Sequence, residues 1–347
     1  MYNPERPSAT MDHRDYAALM ASQVPATLAE TPAMRFDSAE DASAFYAAEL
    51  DYLKSQTYDV LYPEFSALQL FPVSSEVDIG AETITFHSYD KTGFAKIISN
   101  YATDLPRVDI KGKPTTVPVK SVGDSYGYSV QEMRASRMAG KSLDVRKGEA
   151  ARFAIDREIN RIAWSGDEDT GLLGVLSPEN DIPAYTPKEN EKGGSTKFVD
   201  KTPMECLRDV NEFVEFTAKL TKSVERPDTL ALPTDAYLYL ANTPMVINPG
   251  TGATSTILKW ILDHSPRLKN IVECPELNDD SEITPYGGVG VAFMFKADAM
   301  KFTIEIPLPF YQHPVQPEGL EFKVPCESRM GGAVIYYPLS MLIIIGV

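Results

Sequence analysis

The run Ser142–Gly174, SLDVRKGEAARFAIDREINRIAWSGDEDTGLLG, constrains this chain more than any other segment. Asp144 is placed to cap a helix, and no proline interrupts the residues up to Trp164. A helix over Val145–Trp164 is therefore expected, stopped by the Ser-Gly-Asp turn and followed by a short apolar loop. With 3.6 residues per turn, Gly148, Ala151, Ile155, Ile159 and Ile162 fall on one stripe. Phe153, Asn160 and Trp164 fall nearly opposite. A helix with two contact faces needs two partners, its own domain and something beyond it, with a second copy of the chain as the candidate.

The 347 residues suffice for two modest domains or one elaborated one. Hydrophobic content of 43% with 24% charged residues is that of a folded soluble chain. The net charge of −16 argues against free nucleic acid or an anionic membrane as the partner of the surface as a whole. Cys206, Cys274 and Cys326 are isolated and odd in number, which points to reduced, buried thiols rather than a disulfide or zinc framework. The N-terminus lacks the basic flank and apolar core of a secretory signal. Leu339–Val347 is too short to span a bilayer and is rich in β-branched residues, so it reads as a buried strand.

Met1 to about Phe36 has weak periodicity and reads as an arm. A helix is expected through Phe45, Leu50, Tyr52 and Leu53 with Ser38 as its cap, then an irregular connection over Tyr58–Val73. Thr83–Phe86 and Val117–Tyr128 carry strand signals, with about thirty residues between them that include Lys91, Lys96, Arg107, Lys111 and Lys113. This is a long two-stranded excursion. Such a ribbon is marginal alone in water, so it must lie on its own domain or on a neighbour. Ser129–Glu132 has capping-box spacing and opens a helix closed by Gly140; Thr202–Glu205 opens another, with an apolar stripe through Leu207, Val210, Phe213, Val214 and Leu220. Strands are expected at Thr229–Leu232, Ile271–Cys274, Val289–Phe295, Ala299–Pro307, Leu320–Val324 and Gly332–Val347, and short helices at Thr234–Ala241 and Ser255–Asp263. The order implies a mixed α+β fold without the regular alternation of a doubly wound sheet.

Enzyme signatures are missing: there is no GxGxxG, P-loop, GxSxG or HExxH. His13, His87, His264 and His313 are scattered without metal-ligand spacing, so no catalytic residue, metal or cofactor is assigned. Glu158 with Arg161 and Glu149 with Arg152 read as helix ion pairs. Asp167–Asp169 and Asp279, Asp280 and Glu282 are acidic turns, and Gly287–Gly290 is a tight turn before a strand. A soluble enzyme would need a constellation that is not visible, and an adhesion or carbohydrate-binding module would carry less long helix. A self-assembling structural protein accounts for the arm, the ribbon and the two-faced helix together.

Three places in the chain resemble the major capsid proteins of tailed bacteriophages, in the branch that is encapsulin-like in sequence. They are Gly140–Asp167 with Gly171–Gly174, the strand-into-helix step Leu230–Tyr237, and Glu327–Gly332 with the strand Ala333–Val347. The resemblance implies the HK97-like phage capsid fold. Residues 1–36 would be the N-terminal arm, 37–76 the connection, 77–128 the extended E-loop, 129–199 the peripheral (P) domain with its spine helix, 200–310 the axial (A) domain and 311–347 the return to the P domain. Lys91, Phe94, Lys96, Arg107, Lys111, Lys113, Phe153 and Trp164 would make intersubunit contacts, and Asp279, Asp280 and Glu282 would lie near a capsomer centre. The implied function is a virion shell of hexamers and pentamers around double-stranded DNA, assembled in the bacterial cytoplasm. The implied partners are other copies, a portal, a separate scaffolding protein and decoration proteins; no membrane is involved. Lys91, Lys96, Lys111 and Lys113 are candidate lysines for covalent cross-linking, yet no signature marks an asparagine and its catalytic glutamate. An encapsulin-type compartment and a monomeric β-rich binding module are the alternatives.

Overall fold

The computed structural model describes residues 65–92, 109–139, 143–245 and 255–347. The arm, the helix expected near 38–53, Gly140, and Phe94, Lys96 and Arg107 lie outside the described residues.

A five-stranded sheet organises the body. Its order is Ala184–Tyr185, Leu342–Ile345, Val291–Phe295, Thr229–Leu232 and Asn270–Glu273, with parallel pairs at both edges and antiparallel pairs at the centre. Its central strands, LIII, VAFMF and TLAL, are apolar almost throughout, because both faces of the sheet are covered. Alternation divides them between two cores. Ala231, Val291, Phe293, Phe295 and Ile343 join one core with the long helix, whereas Leu230, Leu232, Ala292, Met294, Leu342 and Ile344 join the other.

The long helix spans Leu143–Ser165, so Asp144 lies in its first turn rather than at its cap. Ala151, Ile155, Ile159 and Ile162 are buried as the periodicity requires. The opposite side is also covered by the same chain. Asn160 accepts from the Ala67 N–H (3.0 Å) and donates to Glu276 Oε1 (2.9 Å), while Trp164 Nε1 donates to Ser66 Oγ (3.2 Å). The helix stops where Gly174 crosses it: a Cβ there would stand 2.2 Å from the Gly166 nitrogen. Glu158 pairs with Arg161 as expected (2.6 Å), but Arg152 reaches Asp156 (3.5 Å) instead of Glu149.

The second core is roofed by three helices, Pro203–Leu220, Thr234–Asn242 and Ile257–His264. The first of these has the expected capping box between Thr202 and Glu205, with proline at its start. Its stripe follows the sequence reading through Val210 and Phe213, which are buried, and Leu207 and Val214, which pack on the same core; Cys206 and Thr217 are buried beside them, whereas Leu220 is exposed. Beside Phe198, this core encloses an ion pair between Lys201 and Asp209 (2.5 Å), both side chains fully buried.

Two further sheets flank the first core. Lys120–Ser129 runs antiparallel to Glu321–Met330 over ten residue pairs, and Leu308–Gln312 and Gln316–Glu318 line the other side of Glu321–Met330. Val73–Ser74, Phe302–Glu305 and Gly332–Ile335 form the third sheet. The C-terminal segment expected as one strand is two, because the turn Pro338–Ser340 redirects it. Glu321–Met330 thus pairs with 120–129, while Leu342–Ile345 enters the middle of the five-stranded sheet.

Candidate assembly surfaces

Thr83–Thr92 and Asp109–Pro118 pair antiparallel over ten residues, a ribbon about 30 Å long. The segment read as one strand from Val117 to Tyr128 breaks at Val119, whose N–H donates to the Glu82 carbonyl (2.8 Å). Residues after this break belong to the body. Only the root of the ribbon is held there. Val117 and Val119 are buried, and the Phe86 ring meets Tyr336 edge-on at 5.0 Å. Arg329 donates to the carbonyls of Ile79 and Ala81, fixing the chain as it enters the ribbon. Gly332 must be glycine here: its φ is +71°, and a Cβ would fall 2.5 Å from the Leu173 carbonyl oxygen.

Beyond Phe86 the described side chains of the ribbon are exposed on both faces. His87, Ser88, Lys113, Pro114, Thr115 and Thr116 are exposed, Tyr89 is 67% exposed and Ile110 60%. The Tyr89 ring lies across Gly112, where a Cβ would come within 3.0 Å of it, so the aromatic ring covers the gap left by the glycine. Among the basic residues singled out from sequence, Lys91 stands opposite Ile110, Lys111 opposite Asp90 and Lys113 opposite Ser88.

The two aromatic residues expected at subunit contacts part ways. Phe153 is half-buried and its ring packs on Phe65 at 5.1 Å. Trp164 has no exposed surface and sits among Phe71 (4.7 Å) and Phe293 (6.4 Å). The expectation of a Trp164 contact between subunits is corrected accordingly. The second helix face is covered by residues 65–71 and 275–277 of the same chain, a long-range contact with no signature in local periodicity.

The acidic loop is tied down at one residue. Asp279 pairs with Lys197 at 2.7 Å, and that hydrogen bond lowers the Asp279 pKa and raises that of Lys197. Asp280 and Glu282 are exposed. Leu277, Ile283 and Tyr286 anchor the loop in the first core.

Among the described residues, catalytic groupings do not emerge from the folded arrangement. An open groove of about 730 Å³ over the sheet of Lys120–Ser129 is lined by Gly123, Ser125, Glu318 and Lys323, and by a His313–Glu327 pair at 3.0 Å. Among the described residues no three metal-ligating side chains cluster, and no helix is long and apolar enough to cross a membrane. Cys206, Cys274 and Cys326 are free and buried. Burial pushes the Cys206 and Cys274 thiols up to about 12.

The sequence pattern of the major capsid protein family matches residues 93–347. This chain belongs to that family. Capsid structures share its fold at low identity. The capsid of Myoviridae phage XM1 aligns with a TM-score of 0.71 and 16% identity, covering 87% of this chain and 98% of the other. The capsid of a native GTA particle gives 0.61 and 11%, covering 89% and 98%, and Mycobacterium phage Ogopogo gives 0.57 and 13%, covering 86% and 98%. No curated protein matches the chain at the sequence level. The capsid protein thus has the HK97-like α+β fold, is a structural component of the virion, and is not an enzyme.

Proposed function

We propose that copies of this capsid protein join as hexamers and pentamers into the icosahedral head of a tailed bacteriophage, enclosing double-stranded DNA. The observation that carries the reading is the ribbon. It is rooted at Phe86 and Val117 but exposes Tyr89, Ile110 and Lys113 along its outer half. A two-stranded ribbon gains too little from its own burial to persist in water, so a neighbouring subunit supplies the missing cover. In this reading the ribbon is the E-loop, Leu143–Ser165 the spine helix, and the core over Pro203–Leu220 the heart of the A domain. Lys91, Phe94, Lys96, Arg107, Lys111, Lys113 and Phe153 then belong to intersubunit contacts, where the charged members set register more than affinity. Asp279, Asp280 and Glu282 lie toward the capsomer centre. Assembly takes place in the host cytoplasm, with a portal, a separate scaffolding protein and decoration proteins as further partners.

The test is deletion of Ser88–Thr116. The truncated chain should melt cooperatively but form no closed particles in sedimentation and electron microscopy. Closed shells from the truncated chain would contradict the reading.

A further inference from the structure

Exposed apolar side chains gather around Lys301. Met300 is 78% exposed and Val224 77%, and Leu220, Tyr337 and Leu339 are about half exposed. Their convergence follows from the contacts of Lys301. Its Nζ lies 2.7 Å from Glu225 Oε1 and 4.7 Å from the centre of the Tyr337 ring. Its carbonyl accepts from the N–H groups of Tyr336 (2.9 Å) and Tyr337 (3.2 Å). The helix Pro203–Leu220 packs on the turn Pro338–Ser340, which carries Leu339 two residues after Tyr337.

Two features set this patch apart from scattered surface apolar residues. The turn that presents Val224 holds Lys222 and Ser223 successively in the left-handed region, at φ 52° and 63°. Non-glycine residues rarely adopt that conformation, so the turn is strained. The charge at the centre of the patch is already neutralised, since Lys301 is shared between Glu225 and the Tyr337 ring. The surface therefore suits an apolar partner rather than a polyanion.

The identity of the partner follows from position. Tyr336, next to Tyr337, carries the Phe86 ring, so the patch borders the root of the ribbon. A copy that covers the ribbon from its root outward also reaches the surface beside that root. We propose that Val224, Met300, Tyr337 and Leu339 form a body-to-body contact with a second copy of this chain, the same neighbour that accepts the ribbon. The contact is heterologous, as closure of a ring requires, because patch and ribbon root meet a different surface of the next copy. This inference rests on the shell reading above.

The full chain carrying Val224→Asp and Met300→Asp tests it against wild type. The proposal expects cooperative melting of the unassembled variant close to wild type, because both side chains are exposed. It expects the particle fraction in sedimentation to fall by roughly tenfold or more at concentrations where wild type assembles. If the double variant melts without cooperativity, Met300→Asp alone carries the same test. Particles at the wild-type level would overturn the contact while leaving the shell reading intact. The same result with loss of an added capsid-binding protein would assign the patch to that protein instead. Wild-type chain that forms no particles, alone or in lysate from phage-infected cells, would overturn the shell reading and this contact together.

Discussion

At the scale of single residues, the side chains that decide the outcome are those holding distant segments together. Glu205 accepts from the Thr202 N–H and hydroxyl (2.7 Å each), which lowers its pKa from 4.5 to about 2. A carboxylate with a depressed folded-state pKa stabilises the fold above its unfolded value, and that contribution is lost as pH falls from about 4.5 toward 2. The melting temperature of wild type should therefore fall more steeply across that window than that of Glu205→Gln; parallel curves would count against the role given to this carboxylate. Trp164→Ala should cost about 3–5 kcal/mol of subunit stability, measured by denaturant unfolding, because the ring is wholly enclosed. A variant of native stability that merely assembles poorly would restore Trp164 to a subunit contact. The three cysteines should resist a thiol reagent at pH 8 until the chain unfolds, since buried thiols form almost no thiolate.

At the scale of elements, legibility in the sequence tracked how local the cause was. The stripe from Ala151 to Ile162, the capping boxes at Ser129 and Thr202, and the strands around Leu230 and Phe293 depend on near neighbours, and each has its expected form. What the sequence hid depends on distant partners. The far face of the long helix is closed by Ser66, Ala67 and Glu276, and the buried Lys201–Asp209 pair joins residues that look like ordinary surface charges. Arg329 was visible only as part of a motif, although it grips the chain about 250 positions earlier. The ribbon itself was legible because β-branched runs flank a basic stretch, but its boundary at Val119 is set by the pairing of 120–129 with 321–330. Ile159→Asp should abolish folding rather than assembly, as an unpaired carboxylate would be driven into the first core. Soluble, cooperatively melting Ile159→Asp protein would contradict the packing of that helix face.

At the scale of the whole molecule, two cores share one sheet, so each core braces the other through strands that are covered on both faces. From that body the ribbon projects beyond its root, where Phe86 meets Tyr336. A net charge of −16 opposes close approach of copies, so assembly requires apolar and interlaced contacts strong enough to exceed that repulsion. The central claim is that the chain is completed by its neighbours. The most direct measurement is the mass of the purified protein by analytical ultracentrifugation, with negative-stain microscopy of the same sample. The account predicts megadalton closed shells or discrete rings of five and six subunits. A persistent monomer, unchanged by crowding or by lysate from phage-infected cells, would contradict it.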